Sequence, residues 1–173
     1  MTKNSLFIIL ACTIALASGL FVQKLSNTPV EEKNNIADFK ISLPDVTGKQ
    51  RDITEWKNKI LIINFWATWC PPCLKEIPEF IKLQQQFNHK NIQFIGIAID
   101  NQQAVKQYLA TIDINYPILI GGTNAIDLSH QLGNVIDAVP YTLIVNQQGD
   151  IIHRQPGELS QSKILDIITP LFK

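Results

Sequence analysis

The sequence predicts an α/β fold, a central mixed β-sheet flanked by helices and preceded by a short N-terminal β-hairpin. Three observations carry the prediction. Ile60–Trp66 is a continuous β-branched and aromatic run, the pattern of a strand buried on both faces, and residues 92–99 read as another buried strand. Between them Leu74, Ile77, Phe80, Ile81, Leu83 and Phe87 recur at helical spacing. Near the C-terminus Tyr141–Val145 and residues 151–153 flank a Gln147-Gln148-Gly149-Asp150 turn, which reads as a hairpin.

Each element follows in order. Residues 39–43 alternate like a half-buried strand, residues 44–49 turn the chain, and residues 51–53 return as a second short strand. Ile60–Trp66 then leads into a helix over Pro71–Phe87, with Pro71 suited to a first helical position and Pro78 expected to kink the helix. After the strand at 92–99 the pattern gives a helix over 104–112, a short strand over 116–120 and a break at Gly121-Gly122. A short helix over 125–132 precedes the C-terminal hairpin, and Ser160 is placed to cap a last helix running toward Leu171.

Fifteen basic and fifteen acidic residues cancel, without a run of either sign, so the chain lacks the basic face that nucleic-acid binding requires. Residues 5–22 carry no charge, and as a helix they would span roughly 27 Å, close to bilayer thickness. A cleaved signal would use the small residues of Ala15-Leu16-Ala17, but cutting there leaves Leu20, Phe21 and Val22 exposed. An uncleaved anchor with Lys3 inside is preferred to that and to a lipoprotein site at Cys12. Every reading exports the rest of the chain. Residues 1–23 are thus read as anchor or signal peptide, 24–37 as a polar linker and 38–173 as the domain.

Cys12 lies in the apolar segment, so Cys70 and Cys73 are the cysteines of the exported part. A disulfide across two intervening residues closes almost no loop, which argues against a structural staple. Cys70 follows a buried strand and opens a helix, where unpaired N–H groups and the dipole favour a thiolate. Cys73 sits one turn in and more enclosed, so Cys70 is expected as nucleophile and Cys73 as resolving thiol. A zinc half-site lacks its second cysteine pair, and His89, His130 and His153 are scattered and read as surface residues. A peroxidase centred on Cys70 would want an arginine nearby, and none lies between Arg51 and Arg154.

The run Phe65-Trp66-Ala67-Thr68-Trp69-Cys70-Pro71-Pro72-Cys73, with Glu76 and Pro78 following, resembles the exported thioredoxin-like reductases of the TlpA/ResA type. The resemblance implies a thioredoxin fold over 38–173 and thiol–disulfide exchange on exported proteins, in the direction of reduction, for example of apocytochrome c cysteines. It also implies that Val139-Pro140 before a hydrophobic strand is the family's cis-proline turn facing the cysteines. Val139 would then offer its backbone to an incoming strand, and Trp66, Trp69, Pro71 and Pro72 would wall the site, with Trp56 in the core. Asn64 stands where cytosolic thioredoxins carry a buried aspartate; an amide cannot titrate, so Glu76 becomes the local candidate for moving the Cys73 proton, against the alternative of a solvated helix glutamate. Implied partners are exported protein thiols and disulfides, a membrane thiol-reductant donor and the inner membrane, with the domain on its periplasmic side as a monomer. No cofactor or metal is expected. A DsbA-like oxidase, a thiol peroxidase and a non-catalytic binding module of the same fold remain as alternatives.

Overall fold

The computed structural model describes residues 34–172; the apolar segment at 5–22, Cys12 and most of the linker lie outside the described residues. Among the described residues no helix is long and apolar enough to cross a membrane. The elements in chain order are β1 (Ser42–Pro44), β2 (Gln50–Asp52), β3 (Ile60–Trp66), α1 (Pro71–Phe87), β4 (Ile92–Ala98), α2 (Gln102–Leu109), β5 (Ile118–Ile120), α3 (Asn124–Gln131), β6 (Tyr141–Val145), β7 (Ile151–Pro156) and α4 (Gln161–Ile168).

The central sheet has the order β5-β4-β3-β6-β7, parallel from β3 to β5 and antiparallel from β3 through β6 to β7. β1 and β2 form a separate antiparallel hairpin, tied to the sheet edge by a bridge from Asp45 to Leu119. This is the mixed, helix-flanked sheet with an N-terminal hairpin that the sequence predicts. β3, α1 and β6 begin and end where the apolar pattern places them.

Side chains alternate across a strand, so β3 divides its residues between two cores. Ile60, Ile62 and Trp66 face α1 and α4, meeting Ile77, Phe80, Leu83, Ile164 and Ile168. Leu61, Ile63 and Phe65 face the other layer, built from Phe39, Ile41, Trp56 and, around α3, Ala125 and Leu132. Asn64 has the parity of the first set. It is therefore directed into the apolar layer beneath α1, and the β3–β6 register sets Thr142 directly opposite it.

Four local expectations are corrected. Residues 34–37, read as the end of the linker, belong to the folded unit: Ile36 is buried, its N–H donates to the Gly149 carbonyl at 2.7 Å, and Asn35 bridges Asp150. Burying that one isoleucine is worth more than the polarity of its neighbours suggests. The first hairpin strand is Ser42–Pro44, because Phe39 and Ile41 turn inward as anchors before the pairing begins. Ile53 opens a one-turn 3-10 helix (Ile53–Trp56) instead of extending β2, because Asp52 and Glu55 form a reciprocal capping box. Trp66, expected to wall the site, is a core residue: it belongs to the buried cluster that includes Cys70 and Cys73 and packs against Tyr108, in the space that Gly96 leaves by lacking a side chain.

Candidate active site

The strand β3 delivers the chain to the edge of the sheet, and a short turn carries it into α1. That turn is held from a neighbouring strand: the Thr68 N–H and hydroxyl both donate to Asp100 Oδ2, at 2.6 and 2.9 Å. The Cys70 N–H donates back to the Ala67 carbonyl, leaving Cys70 as the N-cap of α1 with extended backbone angles. Pro71 and Pro72 follow as the first two helical residues, where a missing N–H sacrifices nothing. α1 then continues through Pro78, which lies on its exposed side.

Cys70 and Cys73 are joined as a disulfide. Cys70 Sγ also takes the place of a capping oxygen, accepting from the Cys73 N–H at 3.3 Å. A thiolate at that atom would meet the positive end of α1, whose first turn holds no acidic residue. The two cysteines are not equivalent. Cys73 is fully enclosed, whereas Cys70 keeps 3% of its surface open, so an incoming sulfur reaches Cys70 first.

The peptide bond between Val139 and Pro140 is cis, and the Val139 carbonyl oxygen lies 3.5 Å from Cys70 Sγ. The segment that leads into β6 thus forms a ledge beside the redox sulfur. Val139 is half-buried, Pro140 is buried, and the exposed Trp69 lines one groove together with Val139.

Glu76 departs most from a surface helix residue. It is buried, one turn beyond Cys73 and on the same face of α1. Its Oε1 accepts from the Leu159 N–H, and Oε2 lies 3.5 Å from the Asn64 amide nitrogen, which also donates to Thr142 Oγ1 at 3.0 Å. Burial pushes the carboxyl up to about 7, and the charge of Glu158 adds to the rise; the Leu159 and Asn64 donors pull the other way without offsetting it. Glu76 therefore changes its proton near neutral pH. The solvated alternative does not hold.

Residues 157–159, between β7 and α4, touch both features: the Gly157 N–H donates to the Pro140 carbonyl at 2.9 Å, and Leu159 holds Glu76. Asp100, Thr142 and Leu159 were not anticipated. Asp100 could have been suspected, as a carboxylate closing a buried parallel strand at the carboxyl edge where α/β sites gather. Thr142 and Leu159 carry no local signal, since one acts through strand register and the other through its backbone. Of the expected site residues, Cys70, Cys73, Glu76, Trp69, Pro71, Pro72, Val139 and Pro140 all gather at this edge. Among the described residues no three His, Cys, Asp or Glu side chains converge as metal ligands would.

Comparison with known proteins agrees with this arrangement. Residues 31–168 match the Redoxin family. The thiol-disulfide oxidoreductase ResA of Bacillus subtilis is 24% identical over 169 residues, covering 95% of this chain and 88% of that protein. The thioredoxin-like protein YneN of the same organism is 30% identical over 141 residues, 78% of this chain and 77% of the relative. A crystal structure of a thiol:disulfide interchange protein of the thioredoxin family from Chlorobium tepidum superposes with a TM-score of 0.66 at 28% identity, covering 78% and 94% of the two chains. With that match across the whole folded unit, and a cysteine couple built into the start of α1, the chain belongs to the Redoxin family as a thiol–disulfide oxidoreductase of thioredoxin fold.

Proposed function

We propose that this protein is an exported disulfide reductase, held at the outer side of the inner membrane by its N-terminal segment and acting on the cysteines of other exported proteins. The observation that supports the reading best is the asymmetry of the couple: Cys70 at the helix start beside an open ledge, Cys73 enclosed behind it.

In the reducing direction the Cys70 thiolate attacks one sulfur of a substrate disulfide, forming a mixed disulfide and releasing the other substrate sulfur as a thiolate. Cys73 loses its proton and attacks Cys70 Sγ. That step closes the Cys70–Cys73 disulfide and frees the second substrate thiol, so two electrons pass from the protein to the substrate. Glu76, one turn away and titrating near neutrality, takes the Cys73 proton in this scheme. Trp69, Pro71, Pro72, Val139 and Pro140 frame the substrate, with the Val139 backbone pairing to it as an added strand. A dithiol donor in the membrane returns the couple to the reduced state, and apocytochrome c cysteines are the substrate that the resemblance favours.

Two measurements test the reading. A redox titration against glutathione should place the couple well below −200 mV, and a potential near −120 mV, that of a strong oxidant, would overturn the reductase direction. Cys73→Ser should trap exported partners on Cys70 as mixed disulfides; recovery of exclusively cytosolic partners would refute export.

A further inference from the structure

The pole of the sheet opposite the cysteines carries a hollow that disulfide exchange does not use. β3 begins there at Ile60 and ends at Trp66 beside the redox turn, so its extended backbone puts about 20 Å between the two. The hollow measures about 580 Å³. Its floor is apolar, made by the buried Ile36, Ile53, Trp56, Leu61 and Val145. The one-turn helix Ile53–Trp56, fixed by its capping box, closes one side, and the turn at 146–149 closes another. Asn35 and Ala37 complete the wall, held there because the Ile36 N–H donates to the Gly149 carbonyl and Asn35 bridges Asp150.

The rim is positively charged. Lys57 and Lys59 line the hollow, and none of the described residues lining it is acidic. A third cation stands near: the Ile60 N–H donates to the Asn91 carbonyl at 2.9 Å, and the preceding Lys90 holds its ammonium over the rings of Phe87 and Phe172. Among the described residues none of these three lysines forms an ion pair. The neighbouring carboxylates are mostly engaged. Glu55 holds Arg51, Asp150 accepts from Asn35 and Asn146, and Asp52, whose charge reaches Lys57, accepts twice from Thr54. The exposed Asp38 remains, outside the lining. Unpaired cations around an apolar floor fit an amphipathic anion. The path of the chain says which one. Asn35 on the wall is separated from the uncharged run at 5–22 by residues 23–33, which reach about 40 Å at most when fully extended. The hollow therefore borders the end of the folded unit nearest in sequence to the segment read as an anchor. A bilayer surface offers phosphate above glycerol and acyl carbon, the same order as cationic rim over apolar floor.

We propose that this hollow is a docking surface for anionic phospholipid: Lys57 and Lys59, with Lys90 nearby, take the headgroup phosphate, and the apolar floor takes the glycerol and first acyl carbons. The proposal rests on the reading of the N-terminal segment as a membrane anchor and adds a lipid preference to it. Docking at this pole turns the Cys70 edge away from the bilayer, toward exported substrates. A few lysines near an anionic surface give a contact that breaks readily, so the domain also leaves the surface and presents its cysteines to a donor in the membrane.

The test uses the full chain in vesicles of phosphatidylcholine alone or with roughly a third phosphatidylglycerol, with hydrogen exchange read by mass spectrometry at residues 53–61 and 145–151. Over the mixed lipid these amides should exchange at least about tenfold more slowly, within the factor that two lysines near an anionic surface supply. The slowing should vanish at about 1 M salt and in K57E/K59E. Residues 133–139, at the cysteine edge, should exchange equally over both lipids, and the wild-type chain and K57E/K59E should reduce bis(2-hydroxyethyl) disulfide at the same rate. Equal exchange at 53–61 over the two lipids, or a slowing that K57E/K59E retains, overturns the proposal, as does a slowing confined to 133–139. The same slowing brought by millimolar glycerol 3-phosphate over phosphatidylcholine alone overturns the lipid occupant in favour of a soluble anion. Release of the chain from both kinds of vesicle by alkaline carbonate instead overturns the anchor reading on which the proposal rests.

Discussion

Helix α1 buries two polar side chains against the same sheet, Glu76 near its start and Gln84 two turns further on, and the two are held in similar ways. Each accepts from a backbone N–H, Glu76 from Leu159 and Gln84 from Phe94 at 2.8 Å. Each also meets a second amide, from Asn64 or from Gln93. The difference is that an amide has one state and a carboxylate has two. Gln84 completes its bonding by donating toward the Ile92 carbonyl and stitches α1 to β4 at any pH. Glu76 is surrounded by donors that suit its ionised form, inside a layer whose burial opposes that form, and the balance leaves it titrating near 7. Equal burial thus produces a fastener at one end of the helix and, at the end beside the cysteines, a carboxyl that titrates near neutrality.

The largest effect that separates the two ends is chemical. Cys70→Ser should bring disulfide exchange below detection in an insulin-type reduction assay, with the fold intact by circular dichroism; residual turnover through Cys73 would reverse the assigned roles. Next comes Glu76. Its folded value near 7 lies above the ordinary 4.5, so the stability it contributes is fully present below about pH 4.5 and is lost as pH rises through 7. That loss is on the order of 3 kcal/mol, and urea titrations from pH 4.5 to 8 should show it in the wild-type chain and not in Glu76→Gln. The lowered values of Asp45, Asp52 and Glu55 act in the opposite sense, and below this window. The same Gln substitution should slow closure of the Cys70–Cys73 bond and flatten its pH–rate profile near neutrality; an unchanged profile would remove Glu76 from proton transfer.

Gln84→Leu probes the fastener. It strands the Phe94 N–H and should lower stability by about 1–3 kcal/mol, equally at pH 5 and pH 8, with exchange chemistry unaffected. A pH-dependent loss there would erase the contrast between the two ends. Thr142→Val is the mildest change. It releases Asn64 from its 3.0 Å anchor and should move the Glu76 midpoint upward by less than about one pH unit, readable by NMR at the Leu159 amide.

Local patterns settle much of this molecule. The continuous apolar run of Ile60–Trp66, the helical spacing through Phe87 and the prolines at 71 and 72 locate the junction where Cys70 stands, because strand burial and helix initiation each depend on fewer than about ten neighbouring residues. The short elements were less legible. Ile36 is an anchor in a stretch that reads as polar linker, Phe39 and Ile41 follow a strand-like alternation but are buried ahead of the pairing, and the capping box at Asp52 and Glu55 ends a strand that propensity would extend.

Taken alone, the sequence determined the order of strands and helices and put two cysteines at a helix start, where backbone N–H groups and the dipole act on sulfur at short range. Tertiary structure alone decided the environment of those cysteines. Glu76 meets a backbone N–H from 83 positions away and Asn64 meets Thr142 from 78, so the proton affinity at the site is a property of distant segments brought into register. Trp66 went into the core, and Val135 and Ile136 went to the surface, for the same reason. Burial and hydrogen-bond partners set pKa and exposure, and neither exists until chain-distant elements pack.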